Sequence, residues 1–204
     1  MHKKAFINCP YDEEYLEFFK IIVFLCAYFG YEPLFASEDK TTHPRNDKII
    51  ELIKNTDLGI HDISRITLSK NKYPRFNMPF ELGMDVMYST EINRRKKILV
   101  LDGDDKDYEK TISDLKCADI ESHKNNSKSL FKIIRDYFVS TSEYEDVKSP
   151  KEIEKLYMLD FKSWLADKLK NNGFDTSDEI EMFEFKQKTM QYFDITSGAQ
   201  LVTI

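Results

Sequence analysis

The chain has 204 residues and a mass of 24.1 kDa, enough for one well-buried core plus an appendage and short for two full-sized domains. A hydrophobic content of 41% with 13% aromatics excludes a disordered chain, and 36 acidic against 30 basic residues, a formal charge of −6, exclude the basic field that drives non-specific binding to nucleic acid. Three cysteines, Cys9, Cys26 and Cys117, have neither the number nor the spacing of a disulfide framework or a structural zinc site, so a reducing compartment and no metal are expected.

Lys3 and Lys4 lead directly into a strand pattern without a signal-peptide apolar region, and no apolar run reaches transmembrane length. A cytoplasmic protein without membrane contact is expected. Ala5 to Cys9 is the first strand, and Pro10 ends it. Asp12 is the N-cap of a helix over residues 13–29 that stops at Gly30. Residues 33–36 form a second strand, 47–55 a helix carrying Ile49, Ile50, Leu52 and Ile53, and 58–63 a third strand. After a polar, lysine-rich loop, Asn77 caps a helix over 78–91 with Pro79 in its first turn. The basic run Arg94 to Lys97 complements the end of that helix. Ile98 to Leu101 reads as a strand buried on both faces. A helix over 108–115, a short fifth strand over 118–120 and a helix over 129–138 complete the alternation, which predicts a parallel sheet covered on both sides.

The character changes after Ser140. Ser149-Pro150-Lys151-Glu152 is a capping box that opens a helix bearing Ile153, Leu156, Tyr157, Phe161, Trp164, Leu165 and Leu169, closed by Asn171-Asn172-Gly173. Thr176 to Glu179 starts a second helix with Ile180, Phe183 and Met190 inward. Two amphipathic helices need a surface to cover, on the sheet, on each other or in a homo-oligomer. Residues 1–140 therefore form the α/β domain and 141–204 a helical extension, in which the stripe Tyr157, Phe161, Trp164 reads as core before interface.

In an open parallel sheet, ligands bind beyond the carboxyl ends of the strands. That places Asn8, Cys9, Pro10, Tyr11 and Asp12 after the first strand, Ser37 and Glu38 after the second, Asp62, Ser64 and Arg65 after the third, and Asn77 at the start of the following helix. Glu81 lies in the first turns of that helix, where the positive helix end is expected to hold it ionised, as suits a nucleophile or a stabiliser of positive charge. Glu81, Asp85 and Tyr88 share one helix face, and Phe80, Met84 and Met87 form the expected apolar stripe.

Phe80-Glu81-Leu82-Gly83 resembles the Glu-Leu-Gly motif of nucleoside deoxyribosyltransferases, whose glutamate attacks the anomeric carbon. The related Toll/interleukin-1 receptor (TIR) domains include NAD-cleaving members with a glutamate on the corresponding helix. Phe6 to Tyr11 and Gly59 to Ser64 resemble the first and third strands of the same group. The resemblance implies a flavodoxin-like or TIR-like doubly wound sheet of five parallel strands. It also implies cleavage of an N-glycosidic bond in a nucleotide or nucleoside, with NAD a candidate substrate, no cofactor, and a role like that of relatives that act as bacterial defence effectors. Glu81 would be the catalytic carboxylate and Asp62 a holder of the ribose hydroxyls or base. Asn8 and Tyr11 would line the sugar pocket, Ser64 or Arg65 would meet a phosphate, and Cys9, Pro10 and Asn77 would complete the substrate-binding set.

Three other readings compete. A receiver domain would place its phosphoacceptor at Asp62, but only Asp12 is available as its acidic partner and no lysine lies within 117–121. A Cys9–His61 nucleophile pair needs a contact that strand alternation does not guarantee. A non-catalytic nucleotide-sensing or assembly module would use the same cleft for binding alone. His2, His43 and His123 read as surface residues.

Overall fold

Strands β1 (Lys3–Asn8), β2 (Tyr31–Leu34), β3 (Leu58–Asp62), β4 (Lys97–Asp102) and β5 (Ile120–Ser122) pair in parallel in the order β2-β1-β3-β4-β5. The structure is a computed structural model and describes residues 3–36, 44–64, 75–103, 108, 112, 119–141, 144, 146–178 and 180–197. Helices α1 (Leu16–Tyr28) and α4 (Ser127–Thr141) cover one face of the sheet; α2 (Arg45–Lys54) and α3 (Asn77–Glu91) pack together on the other. This is a flavodoxin-like α/β fold, with the parallel sheet covered on both sides that the alternation of elements led one to expect.

Local chemistry explains where the elements begin and end. Asp12 caps the chain as anticipated: its Oδ1 accepts from the Tyr15 amide at 3.0 Å, opening a 3₁₀ turn (Glu13–Tyr15) that runs into α1. Gly30, at φ +75°, ends α1 in the left-handed conformation that only glycine adopts without strain. The second strand lies earlier than residues 33–36, at Tyr31–Leu34, and holds Pro33 because β2 is the sheet edge, where a missing amide donor is tolerated. The fifth strand is Ile120–Ser122 and not 118–120. Most of the helix expected over 108–115 lies outside the described residues.

The C-terminal helices complete the α1 side. Ser149 Oγ accepts from the Glu152 amide at 3.3 Å, as the capping box requires, and opens α5 (Pro150–Lys155). The helix continues through a π-helical segment (Leu156–Phe161) into α6 (Lys162–Lys170), and Gly173, at φ +83°, ends it. Tyr157 and Phe161 are fully buried: both rings meet Phe24 of α1, and Phe161 also meets Phe185 and Tyr192 of the last helix, α7 (Met182–Ser197). This explains how α1 can be apolar almost all round. Helix α7 begins later than Thr176, because Lys20 of α1 draws in Ser177 O and Oγ, at 3.1 and 3.2 Å, and the Asp178 carboxylate. The inward aromatic residues of α7 are then Phe185 and Tyr192, while Phe183 is exposed, contrary to the sequence reading. Among the described residues no helix is long and apolar enough to cross a membrane.

Candidate functional site

β1 sits between β2 and β3, so the strand order reverses at β1/β3, and Asn8 pairs in register with His61 at the carboxyl end of that junction. Side chains alternate across a strand. Leu58 and Ile60 join the core on the α1 side, so Asp62 points the same way, and His61 points toward α3. Two adjacent residues thus anchor two polar clusters on opposite faces of the sheet.

On the α3 side, the Asn8 side-chain amide donates to the Met78 carbonyl at 3.0 Å and contacts His61 Nδ1 at 2.9 Å. A carbonyl can only accept, which fixes the amide orientation and makes His61 Nδ1 an acceptor. The His61 hydrogen is then on Nε2, which donates to Asp85 Oδ2 at 3.0 Å. Asp85 is also paired with Lys96 Nζ at 3.0 Å, and Lys96 donates to Ile53 O and Thr56 Oγ1. None of the Lys96, Asp85 and His61 side chains is exposed. Burial lowers the Lys96 ammonium from the ordinary lysine value, and Asp85 opposes that shift. Lys96 is therefore a buried ion-pair partner and no mere complement to a helix end.

The buried stripe of α3 is Met78, Glu81, Leu82 and Asp85, at the i, i+3, i+4, i+7 spacing of an inward face. Phe80 and Met87 are more than half exposed, so the apolar stripe expected from sequence is turned outward; only Met84 packs against the Phe6, Ile49, Ile53 cluster. The inversion follows from Asp85, whose partners on β3 and at the start of β4 hold its carboxylate inside. Asn77 is exposed as the first helical residue, with Phe76 in the cap position and no side-chain cap, so it does not cap the helix as expected.

On the α1 side, Asp62 is fully buried and accepts from Tyr15 Oη at 2.5 Å, from the Ser64 amide at 2.9 Å, from Ser64 Oγ and from His123 Nε2 at 2.9 Å. The Asn125 amide donates to His123 Nδ1 at 3.2 Å, which assigns the His123 hydrogen to Nε2. His123 is completely buried, with Phe18 against its ring at 4.9 Å, which overturns its assignment to the surface. With both its oxygens engaged, Asp62 ties together the 3₁₀ turn, the end of β3 and the end of β5.

Glu81 lies on the α3 side, one helical turn before Asp85. Its side chain is only 7% exposed and accepts from Arg45 Nη2 at 3.2 Å, while the Arg45 side chain is 57% exposed. Burial pushes the Glu81 carboxyl above the ordinary glutamate value, against the opposing pull of Arg45 and then His61. The helix end therefore does not hold it down as the sequence suggested. Cys9 is close enough to feel Asp62, Asp12 and Glu81; burial first, then these three charges, pushes its thiol well up. A protonated Cys9, with His61 committed to Asn8 and Asp85, is no nucleophile pair. Pro10 is buried, and Tyr11 Oη donates back to the Ile7 carbonyl at 3.0 Å. Arg75, 46% exposed, holds Asp12 at 3.1 Å. Arg65, Ser37, Glu38, His2, His43 and Cys117 lie outside the described residues.

The structure thus brings Asn8, Cys9, Asp62, Ser64 and Glu81 to one end of the sheet. The sequence reading missed Tyr15, Arg45, Arg75, Lys96 and His123 as members or supports of this region. No group of three or more potential metal ligands occurs among the described residues. A scan against protein-family models returns no match, and no curated protein matches the chain.

Proposed function

We propose that the chain cleaves the N-glycosidic bond of a nucleotide or nucleoside at the carboxyl ends of β1 and β3, with Glu81 as the acting carboxylate. The observation that carries this reading is the nearly buried Glu81 beneath the exposed Arg45, beside the switch point of the sheet. Bond cleavage builds positive charge on the sugar, and a carboxylate shielded from water stabilises such charge, or captures the sugar, better than an exposed one. The likeness of residues 80–83 to the Glu-Leu-Gly motif of deoxyribosyltransferases, and the glutamate that NAD-cleaving TIR domains carry on the corresponding helix, support the same assignment. Asn8 acts indirectly: both of its donor contacts go to protein groups, and through Met78 it sets the start of α3 and hence the place of Glu81. Asp62 braces the site in the same manner. Release of free base from NAD or from a panel of nucleosides and nucleotides, lost in Glu81→Gln, tests the proposal.

A further inference from the structure

Arg45 is the first residue of α2, on the face of the sheet that carries Asn8 and His61. Among the described residues its guanidinium makes one hydrogen bond, from Nη2 to Glu81 Oε1 at 3.2 Å, and the rest of its fork is uncommitted. A single contact from a mostly exposed arginine contributes little. A phosphate offers the same fork two parallel charge-assisted bonds and is the better partner. Glu81 also has a second cation to gain, since the sugar becomes positive as its glycosidic bond breaks.

We infer that Arg45 is the anion-recognition residue of the site, selecting a substrate whose sugar carries a phosphate and moving from Glu81 to that phosphate when the substrate binds. The inference rests on the glycosidic reading of the site and narrows its substrate to a phosphorylated nucleotide over a free nucleoside. In the structure Arg45 occupies the position of positive charge opposite Glu81. On binding, the guanidinium pairs with phosphate and the developing sugar cation takes its place against the carboxylate. The rim has the polarity this exchange needs: the Asp62 and Glu81 carboxylates are buried, while Arg45 and Arg75 are exposed at the edge, Arg75 on the half-buried Asp12.

Calorimetric titration of the full chain with AMP, adenosine and inorganic pyrophosphate, for wild type, Arg45→Lys and Arg45→Ala, tests it, with base release followed in parallel. Wild type is expected to bind AMP at least about tenfold more tightly than adenosine. The ratio should fall toward one in Arg45→Ala and stay intermediate in Arg45→Lys, which keeps the charge and loses the fork. Equal affinities in wild type, an undiminished ratio in Arg45→Ala, or no binding of AMP and pyrophosphate at millimolar concentration would overturn the inference. Arg45-dependent binding of AMP or pyrophosphate without base release keeps the anion role and removes the glycosidic chemistry. Equal base release from AMP and adenosine, untouched by Arg45→Ala, does the reverse.

Discussion

His61 Nε2 donates to Asp85 Oδ2 across 3.0 Å with neither side chain exposed, and the pair lies directly over Gly59. A Cβ at position 59 would come within 2.7 Å of His61 Nε2 and closer still to Asp85 Oδ2. Gly59→Ala is expected to cost about 1–3 kcal/mol by overpacking. Gly83→Ala, where an added Cβ meets nothing within 4 Å, should instead stabilise by about 0.5–1 kcal/mol through better helix propensity. Urea denaturation of the two variants checks this; a harmless Gly59→Ala would contradict the packing described.

Lys96→Met leaves Asp85 inside the protein with His61 alone. Breaking a buried pair from one side costs about 3–5 kcal/mol, because an uncompensated charge remains. The same unfolding measurement should show that loss, whereas a lysine serving only the end of α3 would show a few tenths.

These two residues also mark where the sequence was legible and where it was not. The strand around Ile98 to Leu101 and the Asp12 and Ser149 caps could be read because a continuous apolar run and a capping side chain are local signals. The facing of α3 could not, since Asp85 is paid for by Lys96 and His61, eleven and 24 positions away. His123 looked like a surface residue because its acceptor, Asp62, is 61 positions distant. Glu81 stood out through its motif, but Arg45, from another helix, carries no motif of its own.

Asp62 should behave as a brace. Tyr15→Phe removes one donor to a buried carboxylate and is expected to cost about 1.5–3 kcal/mol. Asp62→Ala removes the shared acceptor of the Tyr15 hydroxyl and His123 Nε2 and should cost on the order of 3 kcal/mol. A negligible change in melting temperature for Asp62→Ala would indicate a carboxylate held free for ligand.

The helical extension should share the stability of the sheet. Phe161→Ala opens a cavity between α1 and α7 and is expected to cost about 3–5 kcal/mol, lowering one common unfolding transition. Two separate transitions, with only one shifted, would contradict a common core.

Glu81 should cost the fold stability at neutral pH. Its folded carboxyl titrates above the unfolded value, so between those two values the folded protein binds more protons and stability falls as pH rises. Glu81→Gln removes that dependence. The melting temperature of the variant relative to wild type should therefore increase from pH 4 to pH 7. A constant difference, or a falling one, would mean the carboxyl is not raised.

The most direct measurement is chromatographic detection of free base after incubating purified protein with NAD and a panel of nucleosides and nucleotides, alongside Glu81→Gln protein shown by its melting curve to be folded. Base release by wild type that is absent in the variant is the expected result. Release that persists in folded Glu81→Gln would take the chemistry away from Glu81, and no release from any compound at high protein concentration would leave a binding module in place of an enzyme.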